Sequence, residues 1–270
     1  MPINLKKLSL RRRHKYLAYF ILVVVLFYFL GNFLYAQIFK VVPDSAYYVF
    51  PSIGFNADVH KVLVFSPHPD DETLAAGGYI QAALARGIEV RVVLITDGNF
   101  RGQGAKRQVE FKQATTELGL QNSGLVFLEY KDGYLKTADQ NKLEADLKKQ
   151  IDDFKPQVVI YPSRFDGHPD HKTAGVIVEK ILQNNQDIEK YAYLVHYHGY
   201  PYPRKLATNR FLMPPSKLFF SCQWFKFVLI PDQEQKKLGA LDNYKISLSY
   251  PIEGGYLSSF VRQNELFCQE

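Results

Sequence analysis

The chain has 270 residues, 47% of them apolar and 22% charged, which is ordinary for a globular protein and fits one α/β domain plus an appendage. The formal net charge of +6 is concentrated in residues 1–40, which contain seven Lys and Arg and no acidic residue. Removing these seven from the 33 basic residues leaves 26, against 27 acidic residues in the rest of the chain. The body therefore offers no electrostatic basis for binding nucleic acid.

A long apolar run near the N-terminus predicts a transmembrane anchor. Residues 16–39 carry no formal charge and lie between Lys15 and Lys40, and about 20 apolar residues suffice to cross a bilayer. A cleaved signal peptide is the alternative, but the apolar region exceeds the usual ~7–15 residues. The basic arm of residues 1–15 predicts a cytoplasmic N-terminus, with the rest of the chain extracytoplasmic.

Residues 40–58 contain Pro43, Pro51 and Gly54 and are interpreted as a stalk. From residue 59 to 270, apolar strands alternate with helices, which predicts an α/β fold with a Rossmann-like, mostly parallel sheet and helices on both faces. After Gly199 the pattern loosens, and a hairpin with a loop or an antiparallel sheet edge both fit. The predicted strands are 61–65, 90–95, 125–128, 157–161 and 191–198, and the predicted helices are 72–86, 105–118, 142–154 and 173–183.

The chain has two cysteines, Cys222 and Cys268. An extracytoplasmic compartment permits a disulfide between them. The sequence gives no distance between the two thiols, so a disulfide and two free thiols both remain open.

Two clusters of potential metal ligands follow predicted strands. The first is His68-Pro69-Asp70-Asp71-Glu72 and the second is Asp166-Gly167-His168-Pro169-Asp170-His171. In a parallel sheet both would lie at the carboxyl edge of the strands, where ligands bind. Two histidines and one aspartate can then hold a divalent metal, which leaves a carboxylate and a third histidine for proton transfer.

Each cluster also has a simpler interpretation. A His-Pro pair is common in turns, and acidic residues favour helix N-termini. Chance does not easily supply both clusters at matching strand ends, and this favours the metal site. His196 and His198 are predicted to be structural or to lie at the rim of the site rather than to be ligands.

Together the two clusters resemble the PIG-L/LmbE family of zinc-dependent N-acetylglucosamine deacetylases. The resemblance extends over most of residues 60–267 and includes Thr96-Asp97-Gly98, Arg107-Gln108-Val109-Glu110 and Asn264-Glu265-Leu266-Phe267. The chain departs from the family at Pro67, where Ala is more usual, and at Gly98-Asn99, where the family often has Gly-Glu. It also lacks the Ser-Gln pair that the family often has near Lys245-Ile246-Ser247.

The resemblance implies a role for each motif residue. Zn²⁺, with Fe²⁺ as the alternative, would be held by His68, Asp71 and His171. Asp70 would be the general base, and His168 would stabilise the oxyanion and protonate the leaving amine. Glu72 and Asp170 would be supporting residues, and Arg107 a substrate contact, although an exposed helical pair of Arg107 with Glu110 explains those two residues nearly as well.

The sequence thus predicts a membrane-anchored hydrolase that removes the N-acetyl group from an N-acetylglucosamine-containing glycoconjugate by metal-activated water. The anchor suggests a lipid-linked or envelope-associated substrate. One alternative is a membrane-tethered carbohydrate-binding protein without turnover. Another is an Fe(II) oxygenase that uses His68, Asp70 and His171, which the alternation of strands and helices disfavours.

Overall fold

A computed structural model describes residues 5–250 and 253–269, with side chains described for residues 14–250 and 254–269. The first four residues of the predicted basic arm lie outside the described part. A long helix, α1 (Leu5–Phe39), precedes the body, and its segment His14–Phe39 is long and apolar enough to cross a membrane. A short 3-10 helix, Asp44–Val49, follows it.

The body alternates strands and helices up to its fifth strand, as predicted, and then changes character. The first part contains β1 (Lys61–Ser66), α2 (Asp71–Ala85), β2 (Glu89–Thr96), α3 (Gly104–Glu117), β3 (Leu125–Tyr130), α4 (Gln140–Phe154), β4 (Val158–Pro162), α5 (Pro169–Leu182) and β5 (Glu189–Tyr193). The second part contains β6 (Gln223–Val228), α6 (Pro231–Leu241), α7 (Lys245–Leu248), α8 (Glu253–Ser258) and β7 (Asn264–Gln269).

The seven strands form one sheet in the order β3-β2-β1-β4-β5-β7-β6. Strands β1 to β5 are mutually parallel, whereas β7 runs antiparallel to both β5 and β6. Helices α2, α3 and α6 pack together, while α4 and α5 form a second group against β1 and β4. The prediction of a mostly parallel α/β sheet is therefore confirmed, and the segment after Gly199 contributes an antiparallel edge.

The central strands are apolar because both faces of the sheet are covered. Val62, Leu63, Val64 and Phe65 of β1 are fully buried. Helix α4 shows how a charged sequence joins this core: its apolar residues recur at helical spacing and are buried, and Asp139 caps its first turn through hydrogen bonds from Asn141 and Lys142. The buried residues of α4 are Leu143, Leu147, Ile151 and Phe154.

The segment interpreted as a stalk lies against the body. Val41, Tyr47 and Phe50 are at least nine-tenths buried. A disulfide joins Cys222, just before β6, to Cys268 in β7. The antiparallel edge is therefore covalently closed, which answers the question that the sequence left open.

Candidate metal centre and active site

The candidate site lies at the carboxyl edge of the parallel strands. Its residues come from the segments that directly follow β1, β2, β3, β4 and β5. Because parallel strands end at one edge of the sheet, segments far apart in sequence meet there. The two histidine clusters, about a hundred residues apart in the chain, are in direct contact: His68 Nδ1 lies 3.2 Å from His171 Nε2.

The turn between β1 and α2 separates the two adjacent aspartates. Asp70 has φ of 121°, a conformation that L-residues rarely adopt and that is found most often at functional sites. Asp71 then begins α2 and is fully buried, whereas Asp70 lines the cavity. Gly98 (φ 61°) packs under this turn, and a Cβ there would lie 2.8 Å from Pro69 Cγ. The close approach explains why the second strand ends in a glycine turn.

Three predicted ligand atoms form a small triangle. His68 Nδ1 lies 3.3 Å from Asp71 Oδ2, His171 Nε2 lies 2.9 Å from the same oxygen, and the two nitrogens are 3.2 Å apart. Zinc–ligand bonds of about 2.0–2.2 Å in tetrahedral geometry place ligand atoms roughly 3.4 Å from each other. The triangle therefore fits three ligands of one metal ion.

The charges around the triangle also suit a cation. Among the described residues, Asp71 Oδ1 is buried without a hydrogen-bond partner. Burial acts to raise the pKa of Asp71, but the attraction of His171 and His68 outweighs it and holds that pKa well below its usual value. Although burial lowers the pKa of His171, Asp71 and Asp166 raise it to about 9. The surrounding carboxylates thus favour positive charge at this point.

The ring nitrogens of His68 and His171 that lie outside the triangle also face carboxylates. His68 Nε2 lies 3.2 Å from Asp170 Oδ2 and 3.3 Å from Asp132 Oδ1. His171 Nδ1 lies 3.4 Å from Asp166 Oδ2. Metal-binding histidines commonly carry such a partner on the second ring nitrogen, which fixes the ring and its tautomer. Three other combinations bring potential ligand atoms within 4.8 Å of one another: His168 with His68 and His171, His196 with Asp71 and His171, and Asp132 with His68 and Asp170.

The environment of Asp70 matches that of a general base. Ser247 Oγ donates to Asp70 Oδ2 at 2.9 Å, and Arg107 Nη2 lies 3.6 Å from the same oxygen. Burial raises the pKa of Asp70 to about 7, with Asp71 and Glu72 adding to the rise and Arg107 opposing it. A carboxylate of this kind can accept a proton near neutral pH.

His168 is fixed by the helix that it begins. Its side chain caps α5, with Nδ1 accepting a hydrogen bond from the backbone N–H of Asp170 at 3.2 Å. Burial lowers the pKa of His168, and repulsion from His68 and His171 adds to the effect. The neutral ring therefore carries its proton on Nε2, which makes that nitrogen a donor.

The remaining predicted residues each have several partners. Asp170 accepts hydrogen bonds from the backbone N–H groups of Gly133 and Leu135, and Glu72 accepts from Ser66, Thr73 and Tyr244 hydroxyls. Arg107 donates to the carbonyls of Gly98 and Pro69 and pairs with Asp132. Its side chain is only 11% exposed, so it is not part of an exposed helical pair with Glu110.

Several residues of the site escaped the sequence reasoning. Asp132 belongs to the turn after β3, and its position directly behind a predicted strand was the signal that could have found it. Asp166 is part of the second sequence cluster but received no predicted role, and Ser247, from α7, lies in a segment that the sequence marked only as a departure from the family. His196 lies at the rim with Nε2 4.0 Å from Asp71 Oδ1, in keeping with its predicted position.

A cavity of about 320 Å³ opens onto these groups, near the lower end of the range for small-ligand sites. Polar and charged residues line one side of it, and apolar and aromatic residues line the other. They are His68, Asp70, Arg107, Asp132, His168, His196 and Ser247 on the polar side, and Leu74, Phe100, Tyr250, Tyr256 and Leu257 on the other.

Comparison with known proteins gives consistent matches. Residues 63–182 match the family model described as PIG-L, GlcNAc-PI de-N-acetylase. A probable N-acetyl-alpha-D-glucosaminyl L-malate deacetylase 2 of Bacillus anthracis is 32% identical over 137 residues, which are 46% of this chain and 59% of that protein. A diacetylchitobiose deacetylase of Thermococcus kodakarensis is 30% identical over 132 residues, 44% of this chain and 48% of that protein. The chain thus spans about half the length of these relatives.

Solved structures show the same fold. N,N'-diacetylchitobiose deacetylase from Pyrococcus horikoshii superposes with a TM-score of 0.52 at 21% identity, covering 78% of this chain and 83% of that one. The zinc-inhibited form of teicoplanin deacetylase has a TM-score of 0.57 at 13% identity, with 77% and 97% covered. Residues 63–182, which contain both histidine clusters, therefore match the PIG-L family model, and the body has the fold of these solved structures.

Proposed function

We propose that this protein is a membrane-anchored, metal-dependent hydrolase that removes the N-acetyl group from an N-acetylglucosamine-containing glycoconjugate. The observation that carries the proposal is the triangle of His68 Nδ1, Asp71 Oδ2 and His171 Nε2, whose sides are 3.3 Å or shorter. Asp70 and His168 lie beside it, and a carboxylate and an imidazole are groups that can transfer protons in amide hydrolysis. The names of the relatives, which are deacetylases of acetylated amino sugars, support the substrate class.

Each residue then has a defined part in the reaction. A bound divalent metal such as Zn²⁺ or Fe²⁺ lowers the pKa of a water molecule towards about 7 and polarises a carbonyl oxygen. Asp70 accepts the proton that the attacking water loses, and the water oxygen forms a bond to the amide carbon. His168 donates from Nε2 to the carbonyl oxygen as negative charge develops there. The C–N bond breaks to give acetate and a free amine, and the leaving nitrogen takes up a proton from Asp70 or His168.

The supporting groups keep this arrangement in place. Asp132, Asp166 and Asp170 orient the ligand histidines. Arg107 holds the turn through Pro69 and Gly98, and its guanidinium faces the cavity, where it can also contact substrate. The aromatic side chains of Tyr250 and Tyr256 give the other side of the cavity a surface on which a sugar ring can stack.

A row of cavities favours a substrate attached near the membrane. The catalytic cavity shares His168, His196 and Tyr256 with a second cavity of about 550 Å³. That second cavity shares Arg204 with a third of about 340 Å³, which reaches Phe39 at the end of α1. A lipid-linked or envelope-associated sugar would extend along this row from the metal towards the membrane.

The membrane topology is part of the proposal. With the N-terminus in the cytoplasm, α1 as the span and the body outside, the disulfide between Cys222 and Cys268 lies in an oxidising compartment. Such a compartment is where disulfides persist.

The test uses the purified full chain, a panel of N-acetylglucosamine conjugates that includes soluble and lipid-linked members, and detection of released amine. We expect about one metal per chain, and a loss of activity of roughly 10²–10⁴-fold in Asp70→Asn with the metal retained. Asp152→Asn, the same chemical change on an exposed part of α4, is the matched control and should leave activity unchanged. A higher kcat/KM for lipid-linked members would support the cavity row.

Other results would favour the alternatives. Metal bound without amine release from any conjugate would indicate a binding protein. Oxoglutarate-dependent turnover would indicate an Fe(II) oxygenase. Absence of bound metal would rule out the site as described.

A further inference from the structure

The last two turns of α1 are packed on the body. Every residue from His14 to Gly31 is exposed, whereas Asn32, Tyr35, Ala36 and Phe39 are partly buried. These four lie on one helical face, at spacing i, i+3, i+4 and i+7. The exposed part, 18 residues at 1.5 Å per residue, is about 27 Å long, close to the ~30 Å thickness of a bilayer's hydrocarbon core.

Three hydrogen bonds fix the position of the body along the axis of α1. Ser45 Oγ donates to Asn32 Oδ1 at 3.0 Å, Arg210 Nη2 donates to the Tyr35 hydroxyl at 3.2 Å, and Ser216 Oγ donates to the Ala36 carbonyl at 3.0 Å. Asn32 precedes Phe39 by seven residues, which is about 10 Å along the helix axis. The 3-10 helix Asp44–Val49 therefore lies beside α1 at the level where its exposed segment ends.

Two large side chains of the 3-10 helix Asp44–Val49 are exposed beside α1. Tyr48 is 78% exposed and Val49 is 70% exposed. Their neighbours hold them in place, because Tyr47 and Phe50 are buried and Tyr47 stacks on Phe211 with ring centroids 3.6 Å apart.

Phe220 is connected to the segment that carries Tyr48 and Val49 by contacts between aromatic rings. It is 94% exposed and contacts Phe219, which in turn contacts Phe50. Lys217 and Lys40 are exposed nearby and suit anionic headgroups. Isolated exposed apolar residues need no explanation, but here three of them continue from the end of a candidate membrane span.

We propose that Tyr48, Val49 and Phe220 form a membrane-contact surface that inserts among the lipid headgroups of the leaflet from which α1 emerges. The occupant is lipid: aromatic side chains favour the interface of a bilayer, and the headgroup layers extend the ~30 Å core to about 40–45 Å. The proposal rests on the membrane-spanning role proposed for α1 and not on the catalytic activity. It implies that the body is held at a fixed height and orientation rather than on a free stalk.

The test places a photo-crosslinking p-benzoylphenylalanine at Phe220 or Tyr48 of the full chain in nanodiscs that contain anionic lipid. Phe27, 69% exposed within the span, is the positive control. Val109, 53% exposed on α3 near the opposite end of the sheet, is the negative control. We expect lipid adducts at Phe220 and Tyr48 at a yield within about three-fold of that at Phe27, and at least ten-fold above that at Val109.

Three results would overturn the proposal. Yields at Phe220 and Tyr48 no higher than at Val109 would show that the surface faces water. Protein–protein adducts of two chains would show that a second copy covers it. Failure of Phe27 to give adducts would show that α1 does not span. Because the readout is independent of turnover, an inactive protein that gives lipid adducts at both positions would still support the surface while contradicting the hydrolase.

Discussion

Three carboxylates at the candidate site, those of Asp132, Asp166 and Asp170, lie against ring nitrogens of His68 and His171. Asp166 is the clearest case, because its Oδ2 lies 3.4 Å from His171 Nδ1 and also accepts hydrogen bonds from the backbone N–H groups of Val195 and His196 at 2.9 Å. Its other oxygen accepts from the backbone of His168. One buried side chain thus ties a metal-facing histidine to the turns after β4 and β5.

Asp166→Asn is predicted to weaken metal binding by roughly 10–100-fold. The amide keeps the shape but places an NH₂ group against N–H donors, and it removes the charge that supports His171. The measurement is metal affinity by competition with a chelator. Asp152→Asn should leave the affinity unchanged, and an Asp166→Asn affinity within two-fold of the original protein would contradict the positioning role.

The predictability of the site differs from residue to residue. The proximity of His68, Asp71 and His171 could be predicted, because strand ends in a parallel sheet share one edge and the motifs that follow two such strands meet there. Ser247 was not found, since nothing in a short helix near the C-terminus indicates that its hydroxyl reaches Asp70. Local sequence predicts at which edge of the sheet a residue lies and which chemistry its side chain has. Contacts between distant segments, such as that of Ser247 with Asp70, depend on tertiary packing.

Helix α2 is interrupted at Ala76, shortly after the turn that carries Asp70 and Asp71. Ala76 has φ of −139° and ψ of 16°, which breaks the helix. The Glu265 carboxylate accepts hydrogen bonds from the backbone N–H groups of Gly78 and Tyr79 at 2.7 and 2.9 Å, and so caps the second part of the helix. Lys237 Nζ bonds both Glu265, at 2.7 Å, and the Leu74 carbonyl, at 2.9 Å.

Lys237→Met is predicted to lower the free energy of unfolding by about 3–5 kcal/mol, because it leaves the buried Glu265 charge without its cation. Denaturant unfolding monitored by circular dichroism measures the change. Lys236→Met is the matched control one residue away: its ion pair with Asp232 is exposed and should contribute no more than about 1 kcal/mol. Equal losses of unfolding free energy in the two variants would show that the buried ion pair stabilises the fold no more than the exposed one.

This interruption also marks a limit of sequence reasoning at the scale of elements. The boundaries of α2 were predicted to within one residue, because its apolar pattern is local. The break was not, since a lysine and a glutamate 28 positions apart are normally expected on the surface. The packing of residues 40–58 was missed for a similar reason: the prolines and glycine predicted a stalk, whereas buried Val41, Tyr47 and Phe50 hold the segment on the body.

At the scale of the whole molecule, the edge that carries the candidate site and the end next to α1 are connected through the antiparallel part of the sheet. Strands β6 and β7 pair along their full length, and β7 also pairs with β5, the last parallel strand. The chain near Ser52 and Ile53 adds to the outer edge of β6 through Lys226. The segment that follows α1 is therefore hydrogen-bonded to the sheet that carries the candidate site.

The disulfide between Cys222 and Cys268 closes this connection, and its sequence separation is 46 residues. In the chain-entropy model, a cross-link over such a loop stabilises the folded state by about 4 kcal/mol. The double variant Cys222→Ala/Cys268→Ala is predicted to lose up to that amount in denaturant unfolding. Under reducing conditions the original protein should approach the variant, because the cross-link then no longer constrains the unfolded chain.

The same bond tests the proposed topology in cells. If the body lies outside the cytoplasm, both thiols are oxidised as the protein is isolated, and maleimide labels the unfolded chain only after reduction. Stoichiometric labelling of both cysteines without reductant, in protein trapped with acid at harvest, would place the body in a reducing compartment. That result would contradict the orientation predicted from the basic arm while leaving the hydrolase chemistry untouched, because neither cysteine lines the catalytic cavity.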